Sequence, residues 1–294
     1  MSSDLVLDAL IRGLSTGSIY AFIAMGFVIV YNATSVLNFA QGDLVTVGIL
    51  SGYTVYAVWG LPPWVALVVA VLLTAVLGIL EERVAIRPIA KAKGHLGFFV
   101  TTFGFAVLLR EAAKFIWGSA PLVFPQYLNL GLLKIGAVSI HPQFILAAAV
   151  ALLTVVAYYF VVDKTKIGNA LRSTFEDKEL AELRGINTGA VRLIAWGLGG
   201  ALSGLGGFLV APLASAYYAA GVDLLLISFV ALTIGGFGSI KGALLGGWIV
   251  GAVLSLGMLV TGGKYREAMI FVLLAVVLIV RPFGIYGRTI ARRV

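Results

Sequence analysis

A run of polar residues interrupts the apolar sequence near residue 40, and its side chains could accompany a polar solute through apolar surroundings. The residues are Asn38, Gln41, Gly42 and Asp43. Where the surrounding chain lies in lipid, such groups are tolerated only against protein or a water-filled path. The run therefore predicts part of a solute path. A second interpretation stays open, in which Asn38 and Gln41 cap a helix at the membrane interface and Asp43 serves its positive N-terminus.

Four hydroxyl side chains lie in two short apolar segments that glycine interrupts. Thr101 and Thr102 belong to segment 96–109, and Ser228 and Thr233 belong to segment 224–238. Short, glycine-broken segments in comparable places of two halves of a chain are typical of transport pathways. We therefore predict that these hydroxyls line the same path.

The polar loop 163–192 carries a pattern for a rigid helix outside the apolar segments. Ser173 followed by Glu176 fits a capping box, which predicts a helix that starts after Ser173. Helix formers follow around Ala181, and Gly185 suits the left-handed position that ends a helix. Connections between spans are usually short, so this long loop predicts a docking element for a soluble partner. The alternative is a stably capped connector.

Residues that could support catalysis or ATP hydrolysis are scarce. The sequence has no cysteine, which excludes disulfides and thiolate chemistry. Its two histidines, His95 and His141, fall in predicted loops, so neither a metal site nor a general base is expected. A phosphate loop is missing, because Gly263-Lys264 is followed by Tyr265. The chain is therefore predicted not to be an enzyme, and its energy must come from a partner or an ion gradient.

The elements that hold these residues are predicted to be membrane helices. The 294 residues are 61% hydrophobic and 12% charged, with mean hydropathy +1.05. A soluble domain carries roughly a quarter of charged residues, so lipid must replace the missing polar surface. The net charge of +8 then reflects basic loops and not binding to nucleic acid. We predict an all-α, polytopic helix bundle, with residues 1–294 forming a single transmembrane domain in the cytoplasmic membrane.

Apolar runs of about 20 residues can cross a bilayer, and their distribution predicts eight or nine crossings. Full-length runs start near residues 13, 65, 143, 193 and 242. The interrupted or short segments, expected to cross with help from their ends or to enter as broken helices, are 38–59, 96–109, 224–236 and 268–280. Pairs such as Gly13-xxx-Gly17 and Gly247-xxx-Gly251 predict close helix contacts.

Basic residues predict the orientation. With nine crossings, one side receives the clusters in 83–95 (including Lys91 and Lys93), in 163–192, at Lys241 and in the tail from Arg281. The positive-inside rule makes that side cytoplasmic, with the N-terminus outside and the C-terminus inside. Charged residues at the ends of apolar runs are interpreted as interfacial anchors, namely Glu81, Glu82, Arg110 and Glu111. Asp43 is then the only acid expected at membrane depth.

Several motifs together resemble a known family of permeases. The segment Glu176-Asp177-x-x-x-Ala181-x-x-x-Gly185-Ile186-Asn187 resembles the coupling-loop motif of ABC importer permeases, in the form found in branched-chain amino-acid permeases. Leu37-Asn38-Phe39-Ala40-Gln41-Gly42-Asp43 resembles the early signature of the H-type subunit of that family. Its late signatures are similar to Gly235-Gly236-Phe237-Gly238-Ser239-Ile240-Lys241-Gly242-Ala243 and to Arg281-Pro282-x-Gly284-x-Tyr286-Gly287-Arg288. The chain departs at Gln41, where members often have His, and at Asp43, where they often have Glu.

This resemblance implies a permease subunit of an ABC importer for branched-chain or other hydrophobic amino acids. The implied partners are a second homologous permease subunit, two ATPase subunits that use ATP and Mg, and an extracytoplasmic binding protein. This chain would bind no cofactor itself. The residues implied to couple to the ATPases are Ser173, Glu176, Asp177, Ala181 and Gly185. Alternatives are a permease for urea or short amides in the same family and an ion-coupled secondary amino-acid transporter.

Overall fold

The computed structural model describes residues 3–89, 95–128, 131–135, 138–213 and 215–287. Within these ranges the chain is mostly helical. The helices are α1 (Ser3–Thr34), α2 (Gln41–Tyr53), α3 (Pro63–Glu81), α4 (His95–Trp117), α5 (Pro142–Lys164), α6 (Lys166–Glu176), α7 (Lys178–Leu183), α8 (Thr188–Val210), α9 (Ala220–Gly235), α10 (Ile240–Thr261) and α11 (Arg266–Val280). Strands β1 (Leu133–Ile135) and β2 (Val138–Ile140) form an antiparallel hairpin between α4 and α5. The predicted helical bundle is confirmed, and this hairpin is the exception to the all-α class.

Six of the described helices are long and apolar enough to cross a membrane, which makes the chain a multi-pass membrane protein. They are Leu5–Thr34, Pro63–Ile89, Leu96–Trp117, Pro142–Lys164, Thr188–Leu213 and Ile240–Thr261. The apolar helices Ala220–Gly235 and Ala268–Val280 are shorter. A π-helical stretch, Thr54–Val58, extends α2.

The prediction that segment 96–109 is short is wrong. It forms part of α4, which runs for 23 residues from His95 to Trp117. The apolar pattern stops at Arg110, but the helix continues because Glu111, Ala112, Ala113 and Lys114 are good helix formers. Arg110 binds Asp43 at 2.9 Å, and Lys114 lies 3.8 Å from Glu111.

Close contacts between glycines hold α1 at the centre of the bundle. A Cβ atom added at Gly13 would lie 2.7 Å from the carbonyl oxygen of Gly251, so the backbones of α1 and α10 touch there. Gly17 and Gly247 meet in the same way, one turn further along. Lipid provides no hydrophobic drive for helix association, and small residues compensate by allowing such close packing. The predicted glycine faces are confirmed at this antiparallel helix pair.

One end of the bundle, here called the α6–α7 end, carries the ends of α1, α3 and α5 together with the start of α8. Arg192 at the start of α8 binds Glu82 at the end of α3 at 2.5 Å. Asn32 on α1 donates a hydrogen bond to the carbonyl of Gly238, which places the turn between α9 and α10 at this end as well. Of the basic residues predicted for one side, Lys91, Lys93, Arg288, Arg292 and Arg293 lie outside the described residues.

Candidate functional site

The polar run near residue 40 lies deep inside the bundle. After α1 ends, Ser35 adopts a left-handed conformation with φ +53°, and the chain then enters the interior without regular structure. α2 starts at Gln41, whose Nε2 donates to the carbonyl of Gly199 at 3.0 Å. Gly199 lies near the middle of the 23-residue α8. α2 is therefore a helix whose N-terminus starts at about half the depth of the membrane segments.

A second helix, α9, starts in the interior beside α2. The N–H of Gly221 donates to Thr46 Oγ1 at 2.9 Å, and the backbones of Gly221 and Gly42 are in contact. Each helix carries an acid in its first turn, Asp43 in α2 and Asp223 in α9. Helix N-termini carry a partial positive charge, so two such ends meet inside the membrane region. Broken helices of this kind surround substrate sites in membrane transporters.

Asn38 connects the break to an acid on α3. Its Nδ2 donates to Glu81 Oε2 at 2.9 Å, and its Oδ1 accepts the N–H of Ala40 at 2.8 Å. The second contact closes a turn before the helix, but the N-cap of α2 is Ala40, which has no side-chain cap, so the predicted cap by Asn38 and Gln41 is wrong. This turn lies inside the bundle and not at the membrane interface, because Asn38 and Glu81 are both buried.

The interpretation of the charged residues as interfacial anchors is wrong for three of them. Glu81 and Glu82 are fully buried. Arg110 donates from Nε and Nη2 to the two carboxylate oxygens of Asp43, at 2.9 Å each. This two-pronged geometry is the strong form of an arginine–carboxylate pair. Asp43 is therefore not the only acid at depth, and its charge is balanced by a neighbouring helix.

Charged and aromatic side chains form a surface of exposed and half-buried residues on α4 and around the start of α9, here called the α4–α9 face. It consists of Arg110, Glu111, Lys114, Tyr217, Tyr218 and Asp223. Glu111 is 62% exposed and Lys114 46% exposed, and the Lys114 ammonium lies 5.6 Å from the centre of the Tyr218 ring. Charges within membrane segments almost always face a bundle interior or water and not lipid. The α4–α9 face is therefore a surface for water or for another protein.

The helices of loop 163–192 differ from the predicted pattern at their start. α6 continues through Ser173 to Glu176, so the capping box predicted at Ser173 is wrong. Thr165 caps α6 by accepting the N–H of Gly168 at 3.0 Å, and Asp177 caps α7 by accepting that of Leu180 at 3.0 Å. Asp177 has the extended backbone of an N-cap, whereas Ser173 is already helical.

The end of α7 follows the prediction. Gly185 has φ +79°, the left-handed conformation that glycine adopts most easily. Ile186 donates to the carbonyl of Ala181 at 3.0 Å and Gly185 to that of Glu182 at 2.9 Å, the pattern of a Schellman motif. Ala181 is buried and packs α7 against the rest of the protein, whereas Leu183 is 84% exposed. α7 thus presents an apolar side chain from a fixed turn.

A family model described as "Branched-chain amino acid transport system / permease component" matches residues 9–280. The chain belongs to this family. The permease is 30% identical to the high-affinity branched-chain amino acid transport system permease protein BraD of Pseudomonas aeruginosa, over 96% of both chains. It is 29% identical to the corresponding protein LivH of Escherichia coli, again over 96% of both. A chain of PsaBC from Streptococcus pneumoniae aligns over 94% of the permease and 90% of its own length, at 15% identity and a TM-score of 0.48.

The predicted path residues of the permease do not all meet. Asn38, Gln41, Gly42 and Asp43 lie together, Asn38 in the break before α2 and the other three in the first turn of α2. The hydroxyls of Thr101, Thr102 and Thr233 each donate to a carbonyl of their own helix. Ser228 is buried, and its hydroxyl has no partner within the described ranges. A role for these four hydroxyls in the path stays a prediction.

Sequence reasoning missed the polar partners that other helices supply to the permease. Arg110 and Glu81 lie 67 and 43 residues away from the groups that they bind, so no local pattern reveals the pairing. Leu180 and Leu183 did carry a local signal, because two leucines three positions apart share a face of a short helix whose other exposed side chains are charged.

Proposed function

We propose that the permease is the membrane subunit of an ABC importer that moves branched-chain amino acids across the cytoplasmic membrane. Two partner ATPase subunits that use ATP and Mg would supply the energy, and an extracytoplasmic binding protein would deliver the substrate. The family and the names of its relatives support the amino-acid class. The observation that carries the proposal within this chain is the exposed α4–α9 face, because its charges need a polar path beside them.

A second, homologous permease subunit would cover the α4–α9 face and enclose the path between the two chains. Apart from the Asp43–Arg110 pair, the face offers both signs of charge, from Lys114 on one hand and from Glu111 and Asp223 on the other. A free amino acid carries a carboxylate and an ammonium group, so residues of both charges can bind it. This composition favours an amino acid over urea or a short amide, because neither of those carries a charged group.

We infer nine membrane segments, formed by α1 to α5 and α8 to α11, with the N-terminus outside and the C-terminus in the cytoplasm. The α6–α7 end is then cytoplasmic. Its described basic residues support this assignment, and they are Arg83, Arg87, Lys164, Lys166, Arg172, Lys178, Arg184, Arg192, Lys241 and Arg281.

α6 and α7 would transmit the movement of the ATPase subunits. Arg172 lies 3.8 Å from Asp163 on α5 and 3.3 Å from Glu176, which links α6 to a membrane helix. Thr188 on α8 donates to Glu182 on α7 at 2.6 Å. These contacts support a connection of α6 to α5 and of α7 to α8, with Leu180 and Leu183 as the docking side chains. Ser173, Glu176, Asp177, Ala181 and Gly185 would shape the same element.

An ion-coupled secondary transporter is the second candidate, because the buried Glu81 is the kind of acid that proton coupling requires. Uptake of labelled leucine by proteoliposomes with the complete complex separates the two. We expect uptake that requires ATP and persists with an uncoupler at constant ATP. Glu81→Gln keeps a hydrogen-bond acceptor for Asn38 and should retain uptake. Uptake that collapses with the uncoupler, or that Glu81→Gln abolishes in a folded complex, would favour proton coupling.

A further inference from the structure

One face of α3 is exposed along the whole length of the helix. Its large apolar side chains recur every four residues, continue into the π-helical turn Glu82–Ile86 that follows α3, and are each between 45% and 68% exposed. They form a surface, here called the α3 stripe, that consists of Trp64, Val68, Leu72, Val76, Leu80 and Val84. At about 1.5 Å per residue, the stripe spans about 30 Å, which is the thickness of the hydrocarbon core of a bilayer.

The composition of the α3 stripe is that of a surface for lipid. The buried face of α3 carries small residues such as Ala66, Ala70 and Gly78, and a Cβ atom added at Gly78 would lie 2.4 Å from the carbonyl oxygen of Trp196 on α8. The stripe lies half a turn away and contains only large side chains. Helices associate in membranes mainly through small residues that allow close approach. The α3 stripe therefore fits lipid better than a second protein.

Two arginines without a partner end the α3 stripe. Arg83 and Arg87 lie on either side of Val84, and both are exposed. Their side chains form no ion pair or hydrogen bond with any residue that the structure describes. The neighbouring acid does not pair with them, because Glu82 is fully buried and binds Arg192. Both charges are therefore available to a ligand outside the chain.

We propose that the α3 stripe binds an anionic phospholipid, with its acyl chains along Val76 and Leu80 and its phosphate on Arg83 and Arg87. The guanidinium group of arginine matches the oxygens of a phosphate in a two-pronged geometry. The lipid belongs to the leaflet at the α6–α7 end, because both arginines follow the last turn of α3. Trp64 ends the stripe at the opposite side, as is common for tryptophan at membrane interfaces.

The charge at this end of the stripe selects an anionic headgroup over a neutral one. A phosphatidylcholine headgroup carries its own ammonium group, which cancels the phosphate charge, whereas phosphatidylglycerol keeps a net negative charge. Each arginine near the membrane surface attracts such a lipid. A free phosphate ion would meet the arginines but leave the apolar stripe without an occupant, so only a lipid satisfies both parts of the site. The site shares no residue with the α4–α9 face or with the break before α2, and it does not depend on the proposed transport path.

Quenching of a fluorophore on an introduced cysteine tests the site, because the native chain has no cysteine. The purified complex, with partner subunits that also lack cysteine, would carry a bimane label at Val84→Cys in phosphatidylcholine nanodiscs. Brominated phosphatidylglycerol and brominated phosphatidylcholine with the same acyl chains are then compared as quenchers. We expect phosphatidylglycerol to quench at an about tenfold lower mole fraction. Val68→Cys is the matched control, because Val68 lies in the same stripe near its other end and should be quenched equally by both lipids.

Substitution of the arginines completes the test. Arg83→Gln with Arg87→Gln, in the Val84→Cys protein, should reduce the preference to less than about twofold, whereas Arg83→Lys with Arg87→Lys should retain part of it. Arg184→Gln should leave the preference unchanged, since Arg184 is exposed and has no ion pair among the described residues but follows α7 outside the stripe. The proposal is overturned if both lipids quench Val84→Cys equally, or if the double glutamine variant keeps the preference. Absence of quenching at both labelled positions would mean that a protein covers the stripe, which also overturns it.

Discussion

At the scale of single residues, the pair formed by Asp43 and Arg110 matters most, because it places a carboxylate inside the bundle. Asp43 is 2% exposed and Arg110 27% exposed. A buried pair contributes little net stability compared with apolar residues, but removing one partner leaves an unpaired charge. Arg110 therefore keeps the first turn of α2 in place beside the α4–α9 face.

We predict that Arg110→Met lowers the free energy of unfolding of the permease by about 3–5 kcal/mol, because it leaves the buried Asp43 carboxylate without a partner. Asp43→Asn combined with Arg110→Met should recover part of that loss. Glu111→Gln, at an exposed neighbour in α4, should change stability by less than about 1 kcal/mol. Thermal unfolding of the purified complex measures all three. Equal stability of Arg110→Met and Glu111→Gln would show that the buried pair is not formed.

The sequence reveals some of these residues and hides others for a physical reason. Asn38, Gln41 and Asp43 stand out because polar residues are rare in apolar runs. Their partners do not, since Arg110 and Glu81 lie at the ends of apolar runs, where charged residues are common anchors. Only the packing of α2 against α3 and α4 turns these residues inward.

At the scale of elements, the sequence predicts the end of a helix correctly where contacts between neighbouring residues determine it. The left-handed end of α7 at Gly185 needs nothing beyond its neighbours, so the glycine predicts it. α6 is capped by Thr165, which the sequence pattern does not single out, and it continues through Ser173, where that pattern predicts a helix start. The length of the apolar run underestimates α4, because good helix formers such as Glu111, Ala112 and Lys114 extend the helix beyond its apolar part.

α7 provides the prediction at this scale. Leu183→Asp should reduce co-purification of the ATPase subunits about tenfold or more, because an apolar contact is replaced by a charge at the proposed docking surface. Val123→Asp is the matched control, as Val123 is 87% exposed and lies at the other end of the bundle. The ATPase content of the purified complex is the measurement. Normal ATPase content in Leu183→Asp would contradict docking through α7.

At the scale of the whole molecule, the bundle explains why two helices can start inside the membrane. α2 and α9 start against each other at Gly42 and Gly221, while α8 supplies the carbonyl that Gln41 needs. Irregular backbone at this depth is tolerated because protein surrounds it. Composition and apolar runs predict the bundle, but the depth at which α2 starts depends on contacts between distant helices. The sequence therefore predicts the architecture better than the site.

The central claim is that the α4–α9 face borders a water-filled path between two permease subunits, and one accessibility measurement tests it most directly. Single cysteines replace Glu111 on α4 or Leu153 in the assembled complex, since both side chains are exposed and Leu153, 65% exposed, lies in the middle of the apolar helix α5. A charged, membrane-impermeant thiol reagent should modify Glu111→Cys and leave Leu153→Cys, which is expected to face lipid, largely unmodified. If Glu111→Cys resists the charged reagent and reacts only with a lipid-soluble one, the face borders lipid and the account is contradicted.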